Sequence, residues 1–233
     1  MPFHSGLETA LARACAIICL LAMGLGGGSK AMAYVPDAEK KICSETISRH
    51  ERAERIPGQL LSAVSLAESG RWDKANRAHF AWPWTVTAGG KGRFFATKAK
   101  AIATVRHLQR RGVRNIDVGC MQINLMYHNT AFATLEEAFD PDMNVAYAAR
   151  LLRRLNDARR SWIMAVGLYH SSSRARHYRY RRKVLKFWNL ERRRAAKERR
   201  EAWIREYKRR QEERLRLHHR RTPGQLSQNR AAR

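Results

Sequence analysis

Residues 72–95 interrupt an otherwise helical sequence, and that break constrains the fold more than any other stretch. Trp72, Trp82, Trp84, Phe94 and Phe95 crowd around a glycine-rich centre. The run from Trp84 to Phe95 alternates and then turns at Ala88-Gly89-Gly90-Lys91-Gly92, which predicts a β-hairpin. Its Gly-Gly-Lys-Gly is not a phosphate-binding loop, because the helix-opening Gly-Lys-Ser/Thr arrangement is absent.

On both sides apolar residues recur at helical spacing. A first helix is predicted from about Asp37 to Arg55, with Ile42, Thr46, Ile47 and Ala53 on one stripe. Ile56-Pro57-Gly58 interrupts it, and Pro57 suits the first position of the next helix. That helix is apolar at Leu60, Leu61, Val64 and Ala67 and ends at Gly70. A third is predicted from about Thr97 to Arg111, closed by Gly112 and followed by the extended piece VRNIDVG. Asp140-Pro141 reads as an N-cap with proline behind it, opening a helix with Val145, Ala148, Ala149, Leu152 and Leu155 on one face. Ser161 caps a last core helix that aligns Trp162, Ala165, Val166 and Tyr169. Together these predict an α+β domain, mostly helical, over residues 34–188.

The ends differ from this domain. Leu11 to Leu25 form an apolar run, followed by small residues and Ala31-Met32-Ala33, the order of a secretory signal peptide spanning residues 1–33. A membrane span is the alternative, but the run is short and Gly24, Gly26, Gly27 and Gly28 break it. Export predicts a disulfide between the two remaining cysteines, Cys43 and Cys120; two buried free thiols are the other possibility. No Cys/His cluster at metal-ligand spacing is present, and no cofactor is expected.

From about Leu190 the sequence becomes a basic, partly helical tail over residues 189–233, with the final TPGQLSQNRAAR expected to be disordered. Glu201 to Arg205, Glu206 to Arg210 and Glu212 to Arg216 are i,i+4 pairs that support a helix. The whole chain carries a net charge of +26, so it will seek polyanions. Export argues against nucleic acid and favours anionic envelope polymer or a membrane surface.

Glu68 is the residue best placed for chemistry. It follows Val64 by four residues and Leu61 by seven, so a helix turns it inward with the apolar stripe. It also sits in the last turn. Burial and the negative helix end both disfavour its carboxylate, as a general acid requires. Taken alone, a glutamate reaching out to solvent from a frayed helix end is the better reading.

Four segments in order change that balance: Ala67-Glu68-Ser69-Gly70, Gly119-Cys120-Met121-Gln122-Ile123-Asn124, Asn144-Val145 and Tyr169-His170-Ser171. Across about Cys43 to Trp188 the chain resembles the SLT-type lytic transglycosylases of the lysozyme-like superfamily. The resemblance implies a goose-type lysozyme-like fold and cleavage of the MurNAc–GlcNAc β-1,4 bond of peptidoglycan in the periplasm or cell envelope. It implies that Glu68 is the catalytic acid and base. Ser69, Met121, Gln122, Asn124 and Tyr169 are implied to form the substrate-binding set, with Tyr169 bonded to the catalytic carboxyl. Cys120 stands where the family has leucine, and His170 where it has asparagine. Trp82 and Trp84 are candidates to stack on sugar faces, or to be core.

Two other readings remain. A muramidase hydrolase needs a second carboxylate, for which Asp117 is a better candidate than Asp73. A non-enzymatic polyanion-binding protein would be built around the tail and would not need Glu68. Docking of the tail onto a secretion or flagellar machine would join both classes, though no residue names such a partner.

Overall fold

A computed structural model describes residues 37–221 of the 233-residue chain. The predicted signal peptide and the final twelve-residue segment beginning at Thr222 lie outside the described residues.

Helix α1 (Asp37–Ala53) ends as Arg55 turns left-handed, at φ 51°. Helix α2 (Leu60–Ser69) starts three residues later than predicted, so Pro57 is not its first residue. Instead the Leu60 amide donates to the Pro57 carbonyl, and Gln59 adopts φ 68°. The cause is Glu51, whose carboxylate accepts the amides of Gln59 at 2.7 Å and Leu61 at 2.9 Å. A buried side chain from the previous helix thus caps α2, satisfying amides that would otherwise be orphaned.

Two antiparallel sheets follow. Strands β1 (Gly70–Asp73) and β2 (Ala78–Ala81) pair with Arg71 opposite Phe80. Asp73 turns the chain between them by accepting the amides of Ala75 and Asn76. The predicted hairpin forms from β3 (Thr85–Ala88) and β4 (Lys91–Phe94). Gly89 and Gly90 take φ 56° and 73°, the doubly left-handed turn whose twist matches a two-residue hairpin. Strands β5 (Ile116–Val118) and β6 (Ile123–Asn124) extend this sheet in the order β4-β3-β5-β6.

Helix α3 (Lys98–Arg110) is capped by Thr97, and the short α4 (Leu135–Ala138) by Thr134. Helix α5 (Pro141–Arg159) has Asp140 as its N-cap with proline behind it, and α6 (Trp162–His170) is capped by Ser161, both as predicted. Helix α7 (Arg174–Arg221) runs for 48 residues, about 72 Å at 1.5 Å per residue. The shift in composition near Leu190 is therefore not a break in the helix.

The main core joins α1, α2, α5, α6 and the start of α7 through Leu60, Leu61, Val64, Val145, Leu152, Val166 and Val184. The Cys43–Cys120 disulfide crosses it. A second core packs α3 on the larger sheet through Val86, Val105, Ile116, Val118 and Phe139. Beyond Trp188, α7 is mostly exposed and laced by ion pairs: Arg194 with Glu198, Lys197 with Glu201, and Glu206 with Arg209 and Arg210. The predicted Glu206–Arg210 pair forms, whereas Glu201 turns back to Lys197. No helix among the described residues is long and apolar enough to cross a membrane.

Candidate active site

Glu68 lies at the C-terminal end of α2, half-buried where that helix meets α7. The Tyr180 hydroxyl donates to Glu68 Oε1 at 2.5 Å. Lys183, one turn further along α7, donates to the Ala67 carbonyl and so sets a cation at the negative end of α2. The His170 ring stacks on Tyr180, with centroids 4.4 Å apart and planes 6° from parallel.

These neighbours set the acidity of Glu68. Burial, the largest influence, raises its pKa to about 7. The Tyr180 hydrogen bond and the Lys183 charge act against burial by stabilising the carboxylate, while Asp117 adds to it by repulsion. A carboxyl in this state populates both protonation forms near neutrality, as a group that must first give and then take a proton requires.

Tyr180, not Tyr169, touches the carboxyl. The Tyr169 hydroxyl donates to the Met121 carbonyl at 2.8 Å. Tyr180 escaped the sequence reading because its stripe is embedded in arginines. His177, Tyr180, Val184 and Phe187 recur at helical spacing through RARHYRYRRKVLKFW, and the first three are buried. That spacing is the signal by which it was detectable.

The Gly119–Asn124 loop is held from beneath. Asn144, fully buried, accepts the Met121 amide at 2.9 Å and donates to the carbonyls of Val118 and Ala138, both at 3.0 Å. Gly119 has φ 84°, and a Cβ there would lie 2.4 Å from Asn144 Nδ2, so only glycine fits. The Ser69 hydroxyl donates to the Cys120 carbonyl at 2.7 Å, tying the loop to the end of α2 beside the disulfide.

Much of the expected sugar-binding set is engaged by this framework. Ser69 and Met121 are both 0 % exposed and offer no surface to a ligand. Gln122 donates to the carbonyls of Thr85 and Gly119 and accepts the Thr87 hydroxyl, so the amide hydrogens expected to meet sugar are already taken. Asn124 donates to Asn115 and Asp117 and accepts the amides of Met126 and Tyr127, fixing a turn. Trp82 is core, with its indole N–H donating to the Phe95 carbonyl, and Trp84 packs partly buried on the second core. In their present conformations these residues shape the site from behind.

Of the two candidate second carboxylates, Asp73 is structural. Lys40 and the Asn76 side chain hold it down at about 2, and it shapes the β1–β2 turn. Asp117 faces the site region from β5, opposite Thr87 and Asn124 in register. Burial raises its pKa against the Asn124 hydrogen bond.

The chain matches the family model described as the transglycosylase SLT domain over residues 45–189. No match was found among curated proteins or among solved structures. The matched span runs from α1 to the base of α7 and includes Glu68, the Gly119–Asn124 loop, Asn144, Tyr169 and Tyr180. With that match covering more than half of the sequence, the chain belongs to the SLT transglycosylase family, peptidoglycan-degrading enzymes of the lysozyme-like superfamily.

Proposed function

We propose that the protein is a lytic transglycosylase that cleaves the MurNAc–GlcNAc β-1,4 bond and leaves a 1,6-anhydro-MurNAc end, with Glu68 as its one acid/base group. The observation carrying this reading is a half-buried carboxyl held near pKa 7, with Tyr180 bonded to one oxygen.

Protonated Glu68 gives its proton to the glycosidic oxygen as the bond to MurNAc C1 breaks. The carboxylate then takes the proton of the MurNAc C6 hydroxyl, whose oxygen attacks C1. No water is consumed, and Glu68 ends protonated as it began. The nucleophile belongs to the substrate, so proximity replaces a second catalytic group. Tyr180 and Lys183 stabilise the carboxylate formed midway and act as positioning residues.

Asp117 supports a second reading, because its charge is felt by Glu68. As a base it would direct water to C1, giving hydrolysis. Mass spectrometry of digested sacculi separates the two. Anhydro-muropeptides abolished by Glu68→Gln are expected; reducing ends that carry oxygen from labelled water would replace the lyase reading with the hydrolase.

The proposed setting is the periplasm or cell envelope, with the exposed half of α7 holding the enzyme on anionic envelope polymer. The charge of that helix supports this placement.

A further inference from the structure

Arg71 carries a charge that no described residue answers. It lies in β1, three residues beyond Glu68, and is partly buried. Its guanidinium carbon sits 4.9 Å from the Trp82 ring centroid, 5.1 Å from Phe94 and 5.7 Å from Phe80. The cage spans both hairpins, since Phe80 belongs to β2 and Phe94 to β4. Among the described residues, no oxygen accepts a hydrogen bond from this side chain and no carboxylate pairs with it. Consistently, desolvation alone acts on its pKa, pushing it down.

The chemistry of the cage leaves the fork free. Aromatic rings attract a guanidinium through its flat face. All five N–H donors lie in its plane, so stacking uses none of them. A partly desolvated cation with unused donors is costly unless an anion arrives. Because the rings already fix the side chain, binding that anion orders little more.

The substrate determines which anion is within reach. In the glycan strand the sugars are neutral, and the lactyl carboxyl of MurNAc is consumed in its amide link to the peptide branch. The free carboxylates lie on that branch. We propose that Arg71 binds a carboxylate of the peptide stem, so that the site favours peptide-bearing strands; this rests on the glycan-cleaving reading above. Arg71 is not among the charges that set Glu68, which are Lys183 and Asp117. It therefore contributes to binding rather than to proton transfer.

The test is Arg71→Met, which keeps an apolar stem on the rings and removes the fork, beside Arg71→Lys, which keeps only the charge. KM and kcat are measured on peptide-bearing glycan strands and on the same strands stripped by an amidase, with melting temperatures recorded alongside. For Arg71→Met, KM should rise about tenfold on peptide-bearing strands, the worth of a hydrogen bond to a charged group, with kcat held and stripped strands unaffected. Arg71→Lys should fall between. Equal losses on both substrates, or none on the peptide-bearing one, overturn the proposal. A second measurement avoids turnover: a disaccharide-tetrapeptide is titrated into Glu68→Gln with and without Arg71→Met. A tenfold weaker Kd supports the site, and an unchanged Kd sinks it. If the wild-type chain cleaves neither strand, the activity reading fails, and the titration still decides on Arg71.

Discussion

The Tyr180 hydroxyl reaches Glu68 Oε1 at 2.5 Å across 112 residues of sequence, so the last helix completes a site that the second helix begins. The bond is made to the charged form of the carboxyl and therefore lowers its pKa. Tyr180→Phe should move the high-pH limb of kcat upward, and Lys183→Met should move it the same way. Asp117→Asn removes a repulsion and should move it downward. At neutral pH, Tyr180→Phe should also lose about tenfold in kcat, the worth of a hydrogen bond to a charged group. pH–rate profiles of the three variants check the signs. A common direction for all three would show that Glu68 is not the titrating group.

The same perturbation predicts how stability depends on pH. Glu68 has a pKa of about 7 in the folded protein against an ordinary value of 4.5. Between these pH values the folded state binds the extra proton, so stability is lost as pH rises. Below about 4.5 the glutamate contributes no penalty; above about 7 the penalty is complete. Glu68→Gln should therefore be more stable than wild type by about 3 kcal/mol at pH 8, from 1.36 kcal/mol per pKa unit, and equal at pH 4. Urea denaturation at both pH values measures the difference. Equal stability at pH 8 would mean that the carboxyl is better solvated than the fold implies.

Local rules are legible in the sequence where the chain satisfies them locally. Gly89-Gly90 specified a turn that only positive φ can close, and Asp140 and Ser161 capped helices from within their own segments. The inward phase of Glu68 followed from Leu61 and Val64. Three features were settled by distant residues instead. The start of α2 was set by Glu51 from the previous helix. The partner of Glu68 came from a helix whose arginines hid its buried stripe. Ser69, Met121 and Gln122 were matched to a cleft, but their polar groups serve the loop behind it. A motif identifies which residues matter near a site, while their side-chain directions depend on packing that no spacing reveals.

Helix α7 is seated by a contact that leaves no room for a methyl group. A Cβ at Gly167 in α6 would fall 1.6 Å from the imidazole of His177, which is 7 % exposed. Gly167→Ala forces that ring out of the core and shifts the helix that carries Tyr180. The variant should be destabilised by about 1–3 kcal/mol, the usual cost of overpacking, and should lose most activity. His177→Ala makes space, so the double variant should recover part of the stability lost by Gly167→Ala. Thermal melts of the four proteins of this cycle test the coupling; strict additivity would mean that the two residues do not seat the helix.

The exposed half of α7 predicts a separable function. At 3.6 residues per turn, Arg192, Trp203, Tyr207, Arg210 and Arg214 fall on one narrow face. Glu191, Glu198, Glu201, Glu206, Glu212 and Glu213 all fall outside it. Trp203 and Tyr207 stack with centroids 5.6 Å apart while remaining 66 % and 52 % exposed. On this face Glu206 reaches in to pair with Arg210, but a surface otherwise of cations and aromatic rings suits an anionic partner, and screening should weaken that attraction as salt rises. Truncation after Asn189 keeps Tyr180, Lys183, Val184 and Trp188, whose indole N–H donates to the Gly58 carbonyl at 2.9 Å. Cleavage of soluble glycan strands should therefore persist within about twofold, a change of under 0.5 kcal/mol in the barrier. Binding to intact sacculi at low salt should fall, and Trp203→Ala with Tyr207→Ala should reproduce part of the loss in the full-length chain. Sedimentation with sacculi across a salt series measures this. Undiminished binding by the truncated chain would place the contact in the catalytic domain and leave the tail without this role.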